Sequence, residues 1–133
     1  MKFSKKFTFC KLTPIFTLAQ MKIHLVKKQS IEDFITEHRN SISSFKLWLS
    51  AIKTARWNIP EDIKKSFNSA DILGKGCNRF VFDIAGNHYR MICKYTFGEK
   101  EVHLFIYWLG THAEYDKICA KKDQFTINIY KSK

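Results

Sequence analysis

The sequence lacks the spacings by which metal sites and disulfide frameworks are recognised. Its 133 residues include four cysteines without a C-x-x-C pair, and five histidines without an H-x₃-H or H-E-x-x-H arrangement. Zinc sites and disulfide-rich folds usually show such spacings. We therefore expect no metal, no cofactor and no disulfide, and unpaired thiols fit a reducing compartment such as the cytoplasm.

A long apolar run is also missing. Residues 1–20 begin with lysines and turn apolar from Phe7 to Leu18, as an export signal does, but Lys11 and Pro14 interrupt the run and no A-x-A site follows. No stretch approaches the roughly 20 apolar residues that span a membrane. We interpret residues 1–20 as a disordered extension from an upstream start codon and residues 21–133 as one domain, without a membrane partner. The alternative is a secreted basic effector whose signal is residues 1–20.

Acidic residues are scarce. Lysine and arginine number 23 against 12 aspartates and glutamates, which gives a net charge of +11. The excess persists after residue 20, because the first twenty residues hold only four of the lysines. It favours a polyanionic partner, either nucleic acid or the ribosome surface, and secondarily an acidic protein inhibitor. A hydrophobic content of 45% indicates a globular chain, and the length suffices for one core.

The order of apolar patterns predicts an α+β fold. Met21–Val26 reads as a strand, and Ser30 as the N-cap of a helix that a second helix follows. Pro60 opens a short third helix. Three strands joined by tight turns come next, at residues 78–84, 88–97 and 101–109. We expect these helices to pack on an antiparallel sheet of about four strands, with a short C-terminal helix. Residues 125–130 alternate and would either add an edge strand or stay loose.

The second of the three hairpin strands has two different faces. His88, Arg90, Ile92 and Lys94 share one side by the period of two. The other side is apolar and is expected to pack on the helices; it holds Tyr89, Met91, Cys93, Tyr95 and Phe97. The first side would then present two cations and a histidine on an open face, for binding or only for solubility.

Residues 110–117 lie where the last strand ends and a helix begins. Thr111 and Glu114 have the S/T-x-x-E spacing of a capping box. His112 and Tyr115 are not needed for that cap. The positive end of the helix dipole disfavours a charged imidazole, so His112 is a candidate proton acceptor.

This stretch resembles the C-terminal signature of the HigB family of type II toxins, within the RelE-like group. Phe67–Asp71, Val81–Arg90 and Met21–Val26 resemble further family segments, and the likeness covers about residues 21–120. The resemblance implies a RelE-like fold and a toxin that cleaves mRNA as a metal-free endoribonuclease, usually on the translating ribosome. It also implies an antitoxin of HigA type with a helix-turn-helix.

The chemistry of RNA cleavage suggests roles for the remaining polar residues. The 2′-OH attacks the phosphorus, so a proton acceptor, a proton donor and a fixed cation are needed. We expect Arg90 to stabilise the phosphorane, His112 to act as acid or base, and Tyr115 to donate a proton or stack on a base. His88 competes with His112 for the histidine role. The expected RNA-binding residues are Lys75, Arg79, Asn87, Lys94 and Lys117. The alternative function is a non-catalytic module that binds RNA or the ribosome.

Overall fold

A computed structural model describes residues 20–74 and 76–129 and shows a five-stranded sheet with three helices before its hairpins and one after. The first strand, β1 (Lys22–Val26), precedes α1 (Lys28–Glu37), α2 (Ile42–Thr54) and α3 (Pro60–Ser66). The remaining elements are β2 (Asp71–Leu73), β3 (Arg79–Ile84), β4 (Tyr89–Phe97), β5 (Glu101–Thr111) and α4 (His112–Ala120). The predicted α+β class with a short C-terminal helix is confirmed.

The sheet is mixed and has the strand order β1-β5-β4-β3-β2. β1 runs parallel to β5, with Lys22 opposite Glu101 and His24 opposite His103, whereas the other pairs are antiparallel. The sheet differs from the predicted antiparallel sheet of about four strands by one further short strand and by the parallel pairing of β1 with β5. Parallel neighbours need a long crossover, here α1 to β4, and a three-residue strand such as β2 has too few residues to show alternation.

The main core lies between the helices and one face of the sheet. Its buried residues come from α1, α2, α3, three strands and the segments between them, and include Ile31, Phe45, Trp57, Ile63, Phe80, Met91, Leu104 and Ile106. The apolar side of β4 packs here as predicted, with Tyr89, Met91, Cys93 and Tyr95 buried and Phe97 partly buried. Burial of this apolar surface contributes most of the driving force for folding.

The opposite face of the sheet carries a second, smaller cluster. Val81, Ile92 and Trp108 are buried there beneath Tyr115, Ile118 and Ile127 of α4 and the following segment. That segment contains a short 3₁₀ turn at Asp123–Phe125 and no strand within residues 125–129. The face that was expected to be open is consequently covered in part, because its central residues are apolar.

Two local predictions need correction. α1 begins at Lys28 after Lys27, which has a φ of 74°, so Ser30 lies buried inside the helix instead of at its N-cap. His88 lies in the turn before β4 and not in the strand.

Within the described residues, no helix is both long and apolar enough to cross a membrane. The predicted extension at residues 1–20 lies, except for residue 20, outside the described residues.

Candidate active site

The site lies where β5 passes directly into α4. The backbone N–H of Thr111 donates to Oε1 of Glu114 at 2.8 Å, and the N–H of Glu114 donates to the Thr111 hydroxyl at 3.2 Å. This is the predicted capping box, and it is confirmed. It fixes the first turn of α4, and therefore the position of His112, relative to the end of the sheet.

Gly110 allows the strand and the helix to meet this closely. A Cβ atom at Gly110 would overlap the Trp108 ring and lie 2.8 Å from Oε1 of Glu114. A larger residue would have to displace either the cap or the tryptophan. Because Gly110 has no side chain, the Glu114 carboxylate can cap α4 close to the end of the sheet.

A groove of about 490 Å³ opens beside the first turn of α4. It is lined by Asn87, His88, Tyr89, Thr111, His112, Ala113 and Asp116. The backbone N–H of His112 donates to the carbonyl of His88 at 3.0 Å, which joins the β3–β4 turn to the helix. The structure thus brings His88, Asn87 and His112 together in one groove.

Asp116 faces His112 one helical turn later. The distance from His112 Nδ1 to Asp116 Oδ1 is 3.5 Å, longer than a good hydrogen bond. Nδ1 itself is shielded from solvent, while 44% of the His112 side chain is exposed. The exposed edge of the ring is therefore the one opposite Asp116, and the carboxylate can orient the ring as a proton leaves or arrives.

Arg90 lies on β4, on the face that α4 covers. Its Nη1 is 3.0 Å from Oδ1 of Asp83, its register partner on β3, and its guanidinium lies 5.4 Å from the centre of the Tyr115 ring. Only 15% of the Arg90 side chain is exposed. Its Nε is buried and has no hydrogen-bond partner among residues 20–74 and 76–129. The guanidinium is thus held rigidly while its Nε–H donor is unused, which is rare for a buried polar group.

Tyr115 packs between Arg90 and Trp108, whose ring centre lies 6.0 Å from that of Tyr115. Burial raises the pKa of Tyr115 well above its usual range, and a hydrogen bond with Cys119 adds to the increase. The phenol is therefore protonated at neutral pH. It can donate a hydrogen bond or a proton, but it is a poor base.

The expected RNA-binding residues are scattered by the fold. Asn87 lies in the groove, Lys117 is exposed on α4, and Lys94 is half-buried on β4. Lys75 lies outside the described residues. The surface role predicted for Arg79 is wrong, because that side chain is buried and donates to the carbonyls of Gln124 and Ile127 at 3.2 and 2.6 Å. It also lies 4.6 Å from the centre of the Tyr107 ring, and so anchors the C-terminal segment.

Sequence reasoning missed the two carboxylates of the site, Asp83 and Asp116. Asp83 can be found by counting back across the turn at residues 85–88, since that hairpin places it opposite Arg90. Asp116 stands four residues after His112, a spacing that brings side chains together on a helix. Each carboxylate faces one of the expected catalytic residues, Asp83 facing Arg90 and Asp116 facing His112.

Comparison with known proteins agrees with the fold. Three helices on one face of a five-stranded sheet, with a fourth helix on the other face, form an α+β fold of RelE-like type. The model of the HigB toxin family, described as the RelE-like toxic component of a toxin–antitoxin system, matches residues 41–118, more than half of the chain. The chain therefore belongs to the HigB toxin family, as the resemblance predicted, and an antitoxin is its partner.

One curated relative is similar over most of both chains. It is the mRNA interferase HigB of Escherichia coli O6:H1 strain CFT073, which is 26% identical over 96 residues. These cover 72% of this chain and 91% of the relative. The family match runs from α2 into α4 and includes Arg90, His112 and Tyr115.

Proposed function

We propose that this toxin is an endoribonuclease that cleaves mRNA on the translating ribosome and is held inactive by a HigA-type helix-turn-helix antitoxin. The observation that carries the proposal is the groove that His88 and His112 share at the open end of the β4–β5 hairpin. Arg90 and Tyr115 contact each other beside it, on β4 and α4. The mRNA interferase activity in the relative's name supports the choice of substrate. A net charge of +11 suits a polyanion.

The proposed reaction is an internal transesterification that needs no metal. The 2′-oxygen of the ribose bonds to the adjacent phosphorus and loses its proton to a base. The bond from phosphorus to the 5′-oxygen then breaks, and an acid protonates that oxygen. The products are a 2′,3′-cyclic phosphate and a 5′-hydroxyl, and the phosphorane between them gathers negative charge.

Four side chains can meet these demands. His112 exchanges the proton through its exposed edge while Asp116 orients the ring, and His88 is the second histidine within the groove. Arg90 stabilises the phosphorane, because guanidinium remains charged and matches phosphate in a bidentate manner. Tyr115 holds the guanidinium against the sheet and offers a protonated hydroxyl.

The ribosome would supply what this small site lacks. The groove is shallow, and Asn87 and Lys117 are exposed groups beside it that can contact RNA phosphates. Correct positioning of the reacting atoms alone can be worth about 7–11 kcal/mol. A message already held in an extended form on the ribosome would provide that orientation.

One observation favours a second candidate function, a non-catalytic module that binds RNA or the ribosome. Arg90 is already paired with Asp83 and is largely buried, so a phosphate must compete with that carboxylate. In this case binding would weaken with added salt and no RNA product would form.

The test is to induce the full chain in a bacterial host, with and without His112→Ala, and to map new mRNA 5′ ends within minutes. We expect discrete cuts within coding sequences that disappear in the variant. Growth arrest without cuts would instead identify the binding module. Cuts that persist in His112→Ala, and that disappear in His88→Ala, would transfer the histidine role to His88.

A further inference from the structure

We propose that His24, His103 and Glu101 form a binding site for a divalent transition metal, with zinc as the best fit. The parallel pairing of β1 with β5 places His24 directly opposite His103, and Glu101 precedes His103 by two residues on the same face. One ligand atom from each of the three residues lies within 4.8 Å of the other two. Linear spacing does not reveal the group, because 79 residues separate the two histidines.

The imidazole geometry fits two ligands on one ion as well as a hydrogen bond between the two rings. The two Nδ1 atoms face each other at 3.2 Å, and the rings are inclined at 74°. Two nitrogens that bind one tetrahedral zinc at about 2.0–2.1 Å lie about 3.3 Å apart. Two lone pairs at this distance need a proton or a cation between them. A metal ion satisfies both nitrogens at once.

The third ligand gives the site its charge and its chemical preference. Two imidazoles and one carboxylate suit zinc and related borderline ions, whereas magnesium and calcium prefer oxygen ligands. Lys22 pairs in register with Glu101 and shares its face, so the local charge lowers the affinity for a cation. The carboxylate of Glu101 is therefore required to offset that charge.

The metal would stabilise the fold and take no part in RNA cleavage. His103 is seven residues before Gly110 on β5, which separates the site from the groove by about 23 Å. An ion bound to both strands would tie the edge strand β1 to β5. Because the ligands are far apart in the unfolded chain, binding to the folded state raises the unfolding temperature.

The test uses the full 133-residue chain, purified with a tag that contains no histidine. Cobalt absorption in the visible range reports tetrahedral coordination, and thermal unfolding is followed with and without zinc. We expect one bound ion per chain, a cobalt spectrum, and an unfolding temperature that rises with zinc concentration. His24→Gln and His103→Gln should each weaken binding by at least about 100-fold.

A matched pair of carboxylate variants separates the site from general surface binding. Glu101→Gln should lower the affinity and Glu99→Gln should leave it unchanged, since Glu99 is exposed in the neighbouring turn and outside the group. Circular dichroism of each variant confirms that it is folded. Absence of zinc binding by the parent chain, or binding by both histidine variants as tight as that of the parent chain, would overturn the proposal. RNA cleavage is measured separately, with and without a chelator. Cleavage that continues with the chelator shows that the nuclease does not depend on the metal site, so each proposal can fail without the other.

Discussion

Arg90 and Asp83 stand opposite each other on adjacent strands, with Nη1 and Oδ1 3.0 Å apart and both side chains mostly buried. The pair has two effects. It fixes the direction of the guanidinium, and it places an anion at the position that we propose for an RNA phosphate. Arg90 is consequently required for stability as well as for the proposed chemistry.

Replacing Arg90 should separate these two contributions. Arg90→Ala leaves Asp83 without its partner and should lower the free energy of unfolding by about 1.5–3 kcal/mol. Arg90→Lys keeps the charge and most of the stability but loses the bidentate fork, so cleavage should still fall sharply. Urea unfolding and cleavage assays on both variants measure the two effects. Full cleavage by Arg90→Lys would show that a simple positive charge suffices.

His112→Ala should reduce cleavage by about 10²–10⁴-fold, the usual contribution of a general acid or base. The fold should persist, because 44% of this side chain is exposed and the capping box belongs to Thr111 and Glu114. Single-turnover cleavage of a ribosome-bound message gives the rate. Lys121→Ala, an exposed change at the far end of α4, is the matched control and should leave the rate unchanged. Equal rates in both variants would remove His112 from the mechanism.

Arg79→Met should release the C-terminal segment from the sheet. The variant retains an apolar chain but loses two hydrogen bonds to carbonyls, and we expect a loss of about 1.5–3 kcal/mol in unfolding free energy. The amide of Ile129, which donates to the Tyr107 carbonyl at 3.0 Å, should exchange faster with deuterium. Lys94→Met, at the register partner of Arg79 on β4, should leave that exchange unchanged. Unaltered exchange in Arg79→Met would mean that other contacts hold the segment.

Stability should fall at alkaline pH, in part through Tyr115. Burial raises the pKa of this phenol above its ordinary value of 10.0 in the folded state. The folded state therefore holds the proton more tightly, so the stabilisation is complete below pH 10 and declines as the pH rises above that value. Urea midpoints measured from pH 8 to 11 should decline less steeply in Tyr115→Phe than in the parent chain. Parallel curves would show that Tyr115 does not titrate with unfolding.

Local signals predicted much of this structure. The turn residues at 85–87 and 98–100 located both hairpins, and Thr111 with Glu114 located the start of α4. The prediction that Ser30 is the N-cap of α1 was wrong. A residue type that favours the N-cap can also be buried within a helix, and here the N-cap is Lys27. Contacts between residues that are far apart in the chain could not be predicted from local sequence patterns. The pairing of β1 with β5 depends on a crossover of more than 70 residues, and burial of Arg79 depends on a segment 45 residues away.

The sequence predicted which residues belong to the candidate site but not how they are arranged in space. His112 and Tyr115 were singled out because the capping box does not need them, and Arg90 because a strand does not need a charged side chain at that position. Only the fold shows that His112 shares a groove with His88, whereas Arg90 lies under α4 with Asp83 and Tyr115. Their catalytic roles remain predictions for the experiments above.

The position of β5 in the sheet also determines how late in synthesis the fold and the groove can be completed. This strand lies between β1 and β4, and α4 follows it directly. Before residues 101–120 have emerged from the ribosome, β1 has no neighbour in the sheet and the groove has only one wall. The nascent chain is therefore incomplete until late in translation, and a product truncated before Gly110 should be harmless. An antitoxin that recognises the finished groove would meet its target only after the message encoding the toxin has been read almost to its end.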